Sequence, residues 1–183
     1  MDSASMADDL TEILVTKDQI AARVQELARA IEADYPGEPP LLVGVLKGAV
    51  MVMADISRAL RFSAPMDWMA VSSYGTGTKS SGVVRILKDL DADLHDRDVL
   101  IVEDIIDSGL TLSWLRENLL TRGAASVEIC TMFRKPDALK IAVPTKYIGF
   151  DIPNAFVVGY GLDYAEQFRN LEDVAILAPH VYS

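Results

Sequence analysis

Cysteine is nearly missing from this 183-residue chain: Cys130 is the only one. An internal disulfide is therefore excluded, and no cysteine neighbour exists to build a zinc site. Cys130 lies inside the apolar run SVEICTMF, where it reads as a small buried hydrophobe. Histidine is as scarce, since His95 and His180 stand far apart without ligand spacing. Positive charge is short too: 17 Lys and Arg face 27 Asp and Glu, for a net charge of -10. Nucleic acid and anionic membranes are poor partners for such a chain, because both need a basic stripe to neutralise phosphates. No apolar run reaches membrane-span length, and the opening MDSASMADDL is acidic and polar, unlike a signal peptide. The expectation is a soluble, cytoplasmic protein.

What the chain does have is a core. Hydrophobic residues make up 50% of it, which excludes disorder and suits one domain over residues 1–183. No repeat and no long Pro- or Gly-rich linker divides it. Thr16 and Gln19 stand at capping-box spacing ahead of Ile20, Val24, Leu27 and Ile31, which share one helical face. Beyond YPGEPP, strand-like and helix-like runs alternate: LLVGVL (41–46), AVMVMADISRAL (49–60), MDWMAV (66–71), VVRILKDL (83–90), DVLIV (98–102) and TLSWLRENLLTRG (111–123), with Gly123 as a C-cap. SVEICTMF (126–133), YIGFDI (147–152), AFVVGYG (155–161) and VAILAP (174–179) read as further strands. The alternation predicts an α/β fold, a parallel sheet flanked by helices. Its core is expected at about 38–150. The two chain ends, about 9–37 and 151–183, break the alternation and predict a small hood beside it.

Four stretches carry chemistry. VLIVEDIIDSGLT (99–111) runs from a buried strand into acids and a turn. Successive N–H groups at Asp107-Ser108-Gly109, with a helix N-terminus behind them, make a nest for a phosphate, and the Ser108 and Thr111 hydroxyls add donors. Glu103 and Asp104 suit a sugar diol or a hydrated Mg²⁺, and Asp107 suits a base. The plain alternative is an N-cap with solvated acids. Lys47-Gly48 follows a strand and offers a point charge and close backbone approach, or simply a surface turn. SSYGTGTKSSG (72–82) is a long polar loop, either a hairpin tip or a lid. Lys135, Phe156 and Asp163 read singly as a surface lysine, a core aromatic and a turn acid.

VLIVEDIIDSGLT resembles the phosphoribosyl-pyrophosphate (PRPP) motif of the type I phosphoribosyltransferases, with Leu110 where members often carry a polar or basic residue. KYIGFDIP and FVVGYGLDYAEQFRNL resemble the C-terminal part of the hypoxanthine-guanine members, and the likeness runs from about Ile13 to Tyr182. The resemblance implies that Glu103, Asp104, Ile106, Asp107, Ser108, Gly109, Leu110 and Thr111 bind PRPP and its 5′-phosphate. It implies a pyrophosphate loop at Lys47 and Gly48, with a cis peptide before Lys47, and a lid over 73–81 that closes Ser73 and Tyr74 on the pyrophosphate side. Arg169 reaches the pyrophosphate. Phe156 stacks on a purine, Lys135 donates to its 6-oxo group, and Val157 and Asp163 offer backbone contacts.

Mg²⁺ is the implied cofactor, at Glu103 and Asp104, with the Asp163 carboxylate toward a second Mg²⁺. The expected activity is purine salvage, with Asp107 catalytic, in a homodimer or homotetramer that takes PRPP and 6-oxopurines as substrates. A PRPP-sensing, nucleic-acid-binding regulator is the rival, disfavoured by the acidic charge and the lack of a second domain. A transferase preferring xanthine is the enzyme alternative.

Overall fold

The computed structural model describes residues 3–6, 8–74 and 83–182. Among these described residues, nine strands form two sheets. The larger has six strands in the order β4 (Val83–Lys88), β3 (Met66–Tyr74), β2 (Leu41–Leu46), β5 (Asp98–Ile106), β6 (Ser126–Arg134) and β7 (Tyr147–Asp151). β3, β2, β5, β6 and β7 are parallel, as the alternation predicts, and β4 adds an antiparallel edge.

The apolar runs come from double burial. Leu42 of β2, Leu100 and Val102 of β5, and Cys130 and Met132 of β6 pack with α1 (Lys17–Asp34) and α2 (Val50–Ala59). Their alternates Leu41, Val43, Val45, Val99, Ile101, Val127 and Ile129 pack with Leu112, Leu115 and Leu119 of α3 (Leu110–Thr121) on the other face. Truncating a fully buried member such as Leu100 to Ala costs about 2–5 kcal/mol. Cys130 is buried here as a free thiol, as read.

α1 begins with the expected capping box: Gln19 N–H donates to Thr16 Oγ1 at 3.3 Å, and Thr16 N–H donates to Gln19 Oε1 at 2.8 Å. α3 ends at Arg122, with Gly123 just beyond it at φ +92°, a left-handed geometry that glycine accepts without strain.

Three expectations change. Leu10–Val15, given no element from its sequence, is a strand, β1, paired antiparallel with β9 (Val174–Leu177), which also pairs with β8 (Val157–Val158). The strand expected at 155–161 shrinks to Val157–Val158, β8, so Phe156 precedes a strand instead of opening one. The segment 9–37 divides: β1 joins the small sheet, while Ile20, Val24, Leu27, Ala28 and Ile31 of α1 pack into the core of the large one. Among the described residues, no helix is long and apolar enough to cross a membrane. Chain order also fixes where a ligand belongs. From β2 the chain crosses to β3 on one side, and from β5 to β6 on the other, so the order reverses between β2 and β5. Open α/β sheets bind ligands at the carboxyl ends of that pair.

Candidate active site

The ends of β2 and β5 meet there. β2 runs out at Leu46, whose peptide to Lys47 is cis, as the family likeness implied. Gly48 packs directly on Asp104: a Cβ built on Gly48 would stand 1.8 Å from Asp104 Oδ2. Glycine is required by that approach. β5 continues to Ile106, paired with Arg134 of β6, so Glu103 and Asp104 belong to the strand itself and not to the turn after it.

Past Ile106 the chain turns. Gly109 takes φ +78° and starts α3, and no side chain caps that helix. Beyond Leu110, its first N–H groups therefore keep their donor capacity for an anion. Ser108 Oγ accepts a long, 3.4 Å hydrogen bond from Leu110 N–H.

Two open pockets adjoin along this edge. The first, about 340 Å³, is lined by residues 103–109, Thr111, Leu112, Lys47, Gly48, Asp163 and Arg169, with Val45, Leu46 and Val71. The second, about 290 Å³, is lined by Lys135, Phe156, Val157 and Leu162. Asp104, Ile105, Asp107 and Asp163 line both. Asp107 thus stands at the junction, with its carboxylate 3.7 Å from Lys135 Nζ. Lys135 is no surface lysine: it is 8% exposed, and its N–H donates to Ile106 O at 2.9 Å. Phe156 is 42% exposed, its ring stacked on Tyr182 with centroids 5.1 Å apart.

The electrostatics are tense. Burial, and then the charge of Asp104, hold Glu103 well above the usual carboxylate range. Burial pushes Asp104 up to about 6, against the N–H groups of Ile105 and Asp104 and the charge of Arg169, with Asp163 adding repulsion. Glu103 Oε2 is enclosed and has no hydrogen-bond partner among the described residues. Two such carboxylates fit a divalent cation. Among the described residues no group of three or more His, Cys, Asp or Glu stands ready to hold a metal. Mg²⁺ takes one or two carboxylates and fills its octahedron with substrate oxygens and water, so the Glu103–Asp104 pair could hold one.

The pocket's cations are already engaged. Arg169 reaches Asp163 at 2.8 Å and Glu166 at 3.4 Å, and donates to Gly161 O at 2.8 Å. Lys47 Nζ pairs with Glu166 at 2.9 Å.

Nearly all the residues singled out from the sequence thus come together. Leu110, the first residue of α3, lines neither pocket. Ser73 and Tyr74 are the last residues of β3, paired with Val84 and Val83. The rest of the expected lid, from residue 75 on, lies outside the described residues. Ile105, Leu162 and Glu166 were missed. The first two are apolar neighbours of motif acids, and Glu166 sits unremarked between Asp163 and Arg169.

The phosphoribosyl transferase domain model matches residues 11–165. The hypoxanthine-guanine phosphoribosyltransferase of Mycobacterium tuberculosis is 54% identical over 95% of this chain and 89% of its own length. That of Bacillus subtilis is 48% identical over 97% of this chain and 98% of its own. A crystal structure of a hypoxanthine phosphoribosyltransferase from Staphylococcus aureus superposes with a TM-score of 0.94 at 44% identity, covering 98% of this chain and 97% of that one. The chain belongs to the phosphoribosyltransferase family, among the hypoxanthine-guanine enzymes.

Proposed function

We propose that the protein salvages purines, transferring the 5-phosphoribosyl group of PRPP to hypoxanthine or guanine and releasing pyrophosphate. The observation that carries this reading is the pair of adjoining pockets that share Asp107. One is floored by an uncapped helix N-terminus and flanked by Lys47 and Arg169; the other offers a buried lysine and an exposed ring.

The uncapped turn at 107–111 receives the 5′-phosphate. Glu103 and Asp104 would hold the ribose diol and its Mg²⁺, and Asp163 a second Mg²⁺; these ions would supply positive charge against the pyrophosphate. Lys47, Gly48 and Arg169 take the pyrophosphate from the other side. In the second pocket Phe156 stacks on the base, Lys135 donates to O6, and Val157 and Asp163 meet its edge.

Purine N9 bonds to the anomeric carbon as the bond to the pyrophosphate oxygen breaks, with inversion through an oxocarbenium-like state. The electron pair leaves with pyrophosphate, and the proton on N7 passes to the Asp107 carboxylate. Asp107 at the junction, beside the Lys135 ammonium, suits that task. We extend the reading to a homodimer or homotetramer acting in the cytoplasm, on the family likeness.

Incubation with PRPP, Mg²⁺ and a panel of bases, followed by ultraviolet absorbance, tests it. Hypoxanthine and guanine should be consumed. Adenine should react ~10⁴-fold more slowly or worse, since its amino group meets the Lys135 donor with a donor. Efficient use of adenine would overturn the assignment of Lys135 and of the substrate class.

A further inference from the structure

We propose that Glu166 is an internal competitor of pyrophosphate, its carboxylate holding the two cations that the leaving group must claim. The proposal rests on the reading of Lys47 and Arg169 as the pyrophosphate pair.

Glu166 Oε2 is 2.9 Å from Lys47 Nζ, and its Oε1 is 3.4 Å from an Arg169 guanidinium nitrogen. One carboxylate thus spans two cations contributed by segments more than a hundred residues apart, one oxygen to each. A pyrophosphate bound between them would present oxygens to the same two donors. Both anions cannot sit there together, because they would repel each other within contact distance.

The backbone holds this carboxylate in place. Ala165 and Glu166 have φ +49° and +65°, the left-handed region that residues with a Cβ rarely adopt. Glu166 N–H donates to Asp163 Oδ2 at 2.9 Å, and Asp163 Oδ1 binds Arg169 at 2.8 Å, so acid, loop and cation close a ring. Within that ring the Glu166 contact is the replaceable one. Its side chain is 63% exposed against 29% for Asp163, and its bond to Arg169 is the longer. Exposed pairs of this kind are weak. A polyphosphate with more charge and more acceptors displaces the carboxylate, and the carboxylate returns when pyrophosphate leaves. The exchange of one anion for another keeps both cations aimed at the same point and opposes over-tight retention of product.

The test is calorimetric titration of inorganic pyrophosphate, with Mg²⁺, into wild type, Glu166→Gln, Glu166→Ala and the remote Glu26→Gln. Glu26 pairs with Arg23 on α1, so its change matches the charge removed without touching the site. Glu166→Gln and Glu166→Ala should bind pyrophosphate about three- to tenfold tighter than wild type. Glu26→Gln should match wild type. In steady state the KM for PRPP should fall while the KM for hypoxanthine stays level. Equal or weaker pyrophosphate binding by both Glu166 variants, with wild type binding normally, would overturn the proposal and leave the pyrophosphate site standing. Failure of wild type to bind pyrophosphate would remove that site and this proposal together.

Discussion

The two pockets are built in different ways. Most of the first comes from one unbroken run, 103–109 with Thr111 and Leu112, joined by the Lys47-Gly48 turn. The second draws on four places: Asp104-Ile105 with Asp107, Lys135, Phe156-Val157 and Leu162-Asp163. The ligands explain the difference. A phosphate wants N–H donors and positive field, and one turn at a helix N-terminus supplies both. A heterocycle has two faces and an edge, and no single segment can surround all three. A phosphate site is therefore written as a motif, whereas a base site is written as a topology.

Asp107 belongs to both pockets, so its substitution strikes the comparison hardest. Asp107→Asn should lower kcat by ~10²–10⁴-fold by removing the proton acceptor. Shape and the uncapped helix end survive, so PRPP affinity should move little. Near-normal turnover, measured by ultraviolet assay, would take Asp107 out of the chemistry and leave the pockets joined by nothing reactive.

Lys135→Met separates them. A charged hydrogen bond to O6 is worth about 1.5–3 kcal/mol, so kcat/KM for hypoxanthine should fall by about 10- to 150-fold. The KM for PRPP should stay within a factor of two or so, since the lysine lines only the second pocket. A matching loss of PRPP binding would mean that the pockets act as one.

Asp104, shared by both pockets, ties their stability to pH. Folding raises the Asp104 carboxyl from 3.8 to about 6, chiefly by burial. A group of this sign contributes its share of stability below about pH 4 and loses it as pH climbs through about 6. At pH 8 the loss is about 3 kcal/mol. Asp104→Asn should therefore raise the melting temperature of metal-free protein at pH 8, with the gain vanishing near pH 4, while it weakens PRPP binding. A melting temperature unchanged at pH 8 would show that Asp104 stores no such cost. The end of β5, where the two pockets meet, is then the strained place, stability traded for function.

Sequence legibility follows the same division. The strands of the large sheet are readable because each alternate residue meets a helix layer, leaving runs such as LLVGVL apolar throughout. β1 is not: Thr11, Glu12 and Ile13 are exposed, and its partner Val174–Leu177 lies at the far end of the chain. The motif shows which acids matter, but not that Glu103 and Asp104 lie inside β5, because pairing with β6 extends the strand past them. Least readable is 160–168, where Tyr160, Ala165, Glu166 and Phe168 all take positive φ. Residues with a Cβ carry no local signal for that geometry, so tertiary contacts alone impose it.

The smallest expected effect concerns the end of the chain. Tyr182 stacks on Phe156 at 5.1 Å and 23°, and Tyr164 meets Phe156 edge-on at 5.7 Å. Neither tyrosine lines the second pocket, so the two rings buttress Phe156 from outside it. An aromatic pair of this kind is worth about 0.5–1.5 kcal/mol beyond its buried area. Tyr182→Ala should release the Phe156 ring and raise the KM for hypoxanthine by about two- to tenfold. The KM for PRPP should not change, because neither Phe156 nor Tyr182 lines the first pocket. Tyr182→Phe keeps the stacked ring and should restore the base KM, which separates ring packing from any task of the hydroxyl. Equal losses for both substrates would make Tyr182 a general stabiliser and would end the claim that the chain terminus serves the base alone.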